Sequence, residues 1–548
     1  MVNDDRESTP CVPKLCGADI ELGNFILGPQ HSDATCGLAA RAVLREIPTS
    51  YDAPEGCCAN GSPLVVRRGD AKGFDPQDWG RRYLSSNGGC AYIDLDHLEL
   101  CLPEVISAYD HVATWHAMLR IARDALDAAN AQLPPGHTIQ VLVNNSDGQG
   151  HAYGSHLNFL ISRRAWDNIF ERKMHHLLYL AAYQTSSIIF TGQGKVGAEN
   201  GRPAVGFQLS QRADFFETLT GVQTTQRRPI VNSRDEPLCG PWRGDTRAQR
   251  TASLDGDYAR LHCIFYDNTL CHGSCLLKVG VMQIVLAMLE AERVNPRLIL
   301  EDPVDAVVRW SHDPTLAARA STVSGTALTA VELQLLFLEE AQQFVAAGGC
   351  DGIVPRAADI LTLWEDTLVK LEDEDVTALT ARLDWVLKFR ILQRALQQRP
   401  RLTWASPEIK HLDHLFGSLD HKEGLYWVHE QLGVVERFVS ESCVERFVHG
   451  PPEDTRAWTR AMLLRTAGRG VVHDVDWDRM AFRTLGSSYW PTVRTLHLPD
   501  PLGFTRAVVE PVIREAAGID DILDALCVAP ADKNVTTEAQ RHGENGRR

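Results

Sequence analysis

The stretch N-G-G-C-A-Y-I-D-L-D-H-L-E-L-C-L-P-E, residues 87–104, constrains this chain more than any other. Ala91, Ile93 and Leu95 alternate with Tyr92, Asp94 and Asp96, the period of two that marks a half-buried strand. After Asp96 and His97 the parity flips, and the apolar positions become Leu98, Leu100 and Leu102. A turn or bulge at the flip predicts Asp94 and Glu99 on one side with Tyr92, backed by aliphatic side chains. Such a face is either a solvated outer surface or the wall of a site.

Length sets the scale around this hairpin. At 548 residues the chain exceeds one ordinary core, which predicts a large domain with a smaller one. A net charge of −16 argues against general nucleic-acid binding. The fourteen cysteines include the adjacent Cys57 and Cys58 but no C-x-x-C pair, a usage that fits reduced thiols in the cytoplasm. The N-terminal M-V-N-D-D-R-E-S-T-P lacks an apolar signal core, and no run is read as long enough to span a membrane. A cytoplasmic protein with no membrane partner is expected.

Along the chain, residues 1–16 read as a mobile leader and residues 17–23, G-A-D-I-E-L-G, as a short strand. Residues 24–86 are rich in Gly, Pro, Asp and Asn and read as a long loop or insertion. Helical spacing covers 105–133, I-Q-V-L-V at 139–143 reads as a strand, and 164–188 reads as helical. R-L-H-C-I-F-Y-D at 260–267 is a further strand, followed by helices at 274–293 and within 331–399. Pro451-Pro452 marks a boundary, a small α+β unit runs to 529, and 530–548 is a polar tail.

Acidic residues fall at strand ends (Asp19 and Glu21; Asp94, Glu99 and Glu104), with His156 and His262 near others. Carboxylates and imidazoles converging on one sheet face can hold Mg²⁺ against nucleotide phosphates; as separate strand edges they hold nothing. Asp94 suits a general base or nucleophile, or the cap of a turn. Arg234 and Arg212 each suit a phosphate clamp or an ordinary ion pair. Trp477 suits a stacking partner for a purine or a core position.

Several motifs carry a resemblance. Y-x-D-x-x-H-x-E, N-N-S-D-G-Q-G-H-A-Y-G-S-H-L-N-F-L, G-F-Q-L-S-Q-R-A-D-F, R-P-I-V-N-S-R-D-E-P, Y-A-R-L-H and L-L-K-V-G occur in this order. Together they resemble the carboxylate–amine ligase-like family of the Pup ligase and the depupylase/deamidase (PafA/Dop), which is related to glutamine synthetase. The five-residue step from Asp94 to Glu99 and the place of residues 24–86 resemble the depupylase branch. The resemblance implies an α+β fold: a curved antiparallel sheet backed by helices over 17–450, and a small C-terminal α+β domain over 451–529. It implies Mg²⁺ and ATP as cofactors, and the small modifier Pup and pupylated proteins as partners. By motif, Asp19, Tyr92 and Glu99 become metal ligands and Asp94 the catalytic carboxylate. Trp477 packs on the nucleotide, while His156, His262 and Arg234 line the metal–phosphate region.

The chain departs from this pattern at named positions. Asp19 stands for Glu, a shortening of about 1 Å that is large beside Mg²⁺–oxygen distances of about 2.0–2.1 Å. Cys90 stands for a phosphate-contacting Arg, and Leu102 for a small hydroxyl residue near the nucleotide. Leu157 stands for Glu, Leu238 for His and His272 for Glu. All are expected inside the site, where they weaken the grip on ATP. Three functions stay open: a depupylase-like amide hydrolase, a non-catalytic Pup-binding regulator, and an ATP-dependent ligase. His262 and His272 together are a further candidate pair for zinc.

Overall fold

Residue 19 sits near the start of the strand on which the sheet is built. β1 (Cys16–Leu27) buries Ala18, Ile20 and Leu22 on one face and turns Asp19 and Glu21 to the other. The computed structural model describes residues 11–28, 36–48, 79–236, 258–373, 375–468, 470–484 and 492–527. The tail from 530 and Leu238 lie outside these residues, as does most of the expected insertion.

β2 (Trp79–Tyr83), β3 (Cys90–Asp94), β4 (His97–Cys101), β5 (Thr138–Leu142), β6 (Ser155–Ser162) and β7 (Tyr258–Cys263) join β1 in one curved antiparallel sheet. Its order is β7-β6-β1-β4-β3-β2, with β5 on the far half of β1. α1 (Cys36–Glu46), α2 (Ala108–Asn130) and α3 (His272–Glu290) pack behind it around one large apolar cluster. Ser107 caps α2 by accepting from the Tyr109 amide.

Three expectations change here. Residues 11–16 are not a leader: Val12, Leu15 and Cys16 are buried, and Lys14 pairs with Glu290 at 2.5 Å. Residues 24–86 are not one loop, because β1 continues to Leu27 and both α1 and β2 lie within that range. The continuation of β1 is paid out in pairing with β5, from Gly23↔Leu142 to Leu27↔Thr138. One run does reach membrane-spanning length: α3 is nineteen residues long and apolar enough, and it lies wholly inside the protein core.

The C-terminal elements are α4 (Arg456–Thr466), the antiparallel strands β8 (Val472–Val475), β9 (Arg479–Thr484) and β10 (Thr492–His497), then α5 (Arg506–Glu515) and α6 (Ile519–Cys527). They gather on a second apolar cluster that includes Leu463, Met480, Phe482, Leu496 and Leu523. Tyr83, Cys90 and Cys101 belong to that cluster too, so these elements cover one end of the sheet's polar face. A buried ion cluster ties the two parts: Glu104 accepts from Arg456 at 2.9 Å and from Arg460 at 2.5 Å.

Candidate active site

The β3–β4 hairpin has the turn expected at the parity flip. Leu95 and Asp96 form a two-residue connection with φ of 44° and 70°. Its register pairs Asp94 with His97, Tyr92 with Glu99 and Cys90 with Cys101. Asn24 pins it from β1: its carbonyl accepts from the Leu98 amide (2.9 Å), and its amide donates to Asp96 (3.0 Å) and Cys36 (2.6 Å) carbonyls. The next pairing places Glu21 opposite Glu99 and Asp19 opposite Cys101.

Asp19, Glu21, Tyr92, Asp94, Glu99 and Cys101 line an open cleft of about 1240 Å³ between the curved sheet and the C-terminal elements. Ligand atoms of Glu21, Asp94 and Glu99 lie within 4.8 Å of one another, and so do those of Asp19, Glu99 and Cys101. Glu99 is shared by both groups. One of its oxygens accepts from the Tyr92 hydroxyl at 2.7 Å; the other is buried without a hydrogen-bond partner among the described residues. Burial, then the carboxylates of Asp19, Glu21 and Asp94, push Glu99 well above the usual range. Glu21 moves the other way: burial opposes its charge, but His156, the Gly154 amide at 2.7 Å, His97 and Arg212 together hold it down. Neutral–charged inequality among packed carboxylates is what a divalent cation relieves, and hard oxygen donors suit Mg²⁺. The donor set therefore fits that ion.

Tyr92, expected as a metal ligand, sits against another expected ligand, Glu99. Burial and the neighbouring Glu99 raise its hydroxyl well above the ordinary value, and as a neutral donor it orients Glu99. The Arg81 guanidinium lies over its ring at 4.2 Å. Glu21, one of the strand-end carboxylates considered for Mg²⁺ but not a ligand by motif, enters the carboxylate group beside Asp94. The i, i+2 spacing of Asp19 and Glu21 was the signal for it.

On the β6–β7 side, His156, Asn158, Arg260 and His262 face the cleft. His262 donates from Nδ1 to the Asn158 carbonyl (2.9 Å), and the Asn158 amide reaches Asp19 at 3.3 Å. The His156 and His262 rings are 5.2 Å apart, and burial lowers the pKa of both imidazoles, in His156 against the opposing pull of Glu21. Asn158 was missed, although H-x-N in a strand puts it beside His156. Arg212 is no surface residue: it is 1% exposed, donates to the Ile264 carbonyl at 2.8 Å, and leaves Nε and Nη1 in the cleft wall without partners among the described residues. Burial, then Arg228, lower its pKa to about 10. Gly154 makes room for it, since a Cβ there would collide with the guanidinium. Arg234 sits at the rim, 37% exposed and 3.6 Å from Glu236.

At the opposite end Trp477 and Leu102 line the cleft. Arg460 lies over the Trp477 ring at 4.6 Å and Tyr83 meets it edge-on at 5.5 Å. Three other departures, Cys90, Leu157 and His272, lie off the cleft wall. Cys90 is fully buried in the second apolar cluster and is absent from the cleft lining. Leu157, between His156 and Asn158, faces the core by strand alternation. His272 packs at a tilt against His116, ring centroids 4.3 Å apart, in a separate small hollow with Trp427, Glu430 and Glu441, so it shares no metal with His262.

Comparison with known proteins agrees with this architecture. The Pup-ligase protein family matches residues 59–481. The depupylase of Acidothermus cellulolyticus is 34% identical over 85% of this chain and 88% of its own. The Pup deamidase/depupylase of Mycolicibacterium smegmatis is 32% identical over 80% and 82%, and the Pup–protein ligase of Kocuria rhizophila 32% over 86% and 97%. Among solved structures, the ligase PafA in complex with Pup superposes with a TM-score of 0.72 at 24% identity, covering 92% of this chain and 91% of that one. PafA with ADP gives 0.65 at 24% identity over 82% and 92%. The chain belongs to the Pup-ligase protein family.

Proposed function

We propose that this protein is a depupylase/deamidase-like amide hydrolase that acts on the C-terminal Gln of Pup or on the isopeptide bond between Pup's terminal Glu and a substrate lysine. The observation that carries this is Asp94: a carboxylate at the last position of β3, beside Glu21 and Glu99, and followed by the exposed cleft residues Leu95 and Asp96. Asp94 takes the proton from an attacking water, or attacks the amide carbon itself. Either way the carbon–nitrogen bond then breaks and the nitrogen leaves as the lysine amine or ammonia, its proton passed on by Asp94 in the first case and drawn from water in the second, where a further water hydrolyses the Asp94 acyl anhydride to free the carboxylate. Arg212, with two donors unused in the cleft wall, suits the negative charge that develops on the amide oxygen or on a neighbouring phosphate.

Mg²⁺ held by Asp19, Glu21 and Glu99 would polarise the reacting group. The nucleotide belongs at the Trp477 end, and PafA, a structural neighbour, is known with ADP. The C-terminal elements then act as a small domain closing that end. The regulator reading loses much of its support, because Cys90, Leu157 and His272 lie off the cleft wall. It keeps Asp19 and Leu102, both cleft residues.

The test uses a pupylated protein and Pup ending in Gln, with Mg²⁺ and ATP, comparing the natural chain with Asp94→Asn. Hydrolysis by the natural chain alone is expected. Equal rates with both chains would remove Asp94 as the catalyst; no hydrolysis by either, with Pup still bound, would favour the regulator. Net conjugation of Pup to lysine would favour the ligase.

A further inference from the structure

The turn that follows Asp94 is built from a residue ill suited to its backbone. A φ of 44° at Leu95 brings an L-residue's Cβ against the following carbonyl, which is why Asn, Asp and Gly dominate such turns. Leu95 nonetheless carries a branched aliphatic side chain there, 45% exposed and on the cleft wall. Core packing does not account for it, because its neighbours Ile93 and Leu98 are in the apolar cluster and Leu95 is not. Nor does the turn need it, since Asn24 already pins the hairpin through backbone groups.

Position explains what an exposed leucine can do there. Along the hairpin the paired residues run from Cys90 and Cys101, under the C-terminal elements, through Tyr92 and Glu99 to Asp94 and His97. Leu95 comes next, at the opposite end of this row from Trp477. A folded protein bearing a modified lysine is too large for the cleft, so its side chain has to reach Asp94 past exposed lining residues, and Leu95, Asp96 and His151 are such residues. That side chain presents four methylenes before the amide nitrogen, an apolar stem that water solvates poorly.

Resting on the hydrolase reading above, we infer that Leu95 is a specificity-determining residue that packs along the lysine stem on the leaving-amine side of the isopeptide bond. A primary carboxamide has no such stem and gains nothing from the contact. Leu95 therefore separates cleavage of lysine conjugates from release of ammonia.

The experiment compares Leu95→Asn and Leu95→Gly, both better matched to positive φ, with the natural chain and with Leu95→Met, which keeps apolar reach. Each is assayed on Pup linked to a folded protein through lysine and on Pup ending in Gln. For Asn and Gly, kcat/KM on the lysine conjugate is expected to fall about tenfold relative to that on the carboxamide, the scale of a lost methylene contact or more. Leu95→Met restores the ratio, and the thermal midpoints of Asn and Gly equal or exceed that of the natural chain. Parallel losses on both substrates, or an unchanged ratio, would overturn the inference while leaving the hydrolase intact. Inactivity of the natural chain on both substrates would overturn the hydrolase reading itself, and this inference with it.

Discussion

Glu104→Gln isolates the ion cluster that joins the C-terminal elements to the sheet. The Glu104 side chain is 10% exposed, with Arg456 and Arg460 at 3% and 0%, so solvent screens the cluster little. Burial opposes the Glu104 charge, but the two guanidinium groups outweigh it and hold the carboxyl down from 4.5 to about 2. At about 1.4 kcal/mol per tenfold, that interval corresponds to about 3 kcal/mol. Removing one partner of a buried ion pair costs about 3–5 kcal/mol, the same scale, because the remaining charges stay buried. The folded carboxyl is more acidic than the unfolded one. Its contribution is therefore complete above about pH 4.5 and disappears as pH falls towards 2. Urea unfolding followed by tryptophan fluorescence should show Glu104→Gln less stable by about 3 kcal/mol at pH 7, with the gap closing through pH 4 to 3. Equal midpoints at pH 7, or a gap that does not shrink in acid, would refute the coupling.

Three further outcomes follow from the cleft. Asp94→Asn should lower hydrolysis by about a thousandfold or more, while unfolding stays unchanged or improves as repulsion with Glu99 is relieved; circular dichroism melts and a gel-based cleavage assay check both halves. Glu99 has a folded value above its unfolded one, so its ionisation destabilises the metal-free protein as pH rises above 4.5; Glu99→Gln should be the more stable chain at pH 7 without metal, and Mg²⁺ at a hundred times its Kd should add about 2.7 kcal/mol to the natural chain and little to the variant. Gly154→Ala should displace Arg212 and cost about a hundredfold in kcat with the guanidinium still present, whereas Gly206→Ala, against Trp404, should leave kcat unchanged.

The pattern of the hairpin was legible because strand side chains alternate by an invariant geometry. Once Asp94 and Glu99 were separated by one flip of parity, their common face followed. The same rule, applied to H-L-N at 156–158, would have moved Leu157 from the site to the core. The extent of 24–86 was misjudged for a different reason: β1 continues past Gly23 only because β5, more than a hundred residues on, supplies its partner. Local composition carries no record of such pairing.

Residue order alone decided that this chain has an acidic, tyrosine-bearing strand pair and a motif series matching one family, since both depend on local periodicity and spacing. Tertiary structure decided which of those residues meet. Glu21 joined Asp94 through the β1–β4 register, and Arg212 came to rest beneath Gly154 with two donors unspent. Cys90 and His272 were taken out of the cleft by the packing of the C-terminal elements and the helices. Burial, partner and charge balance belong to contacts between distant segments, and these exist only once the chain has folded.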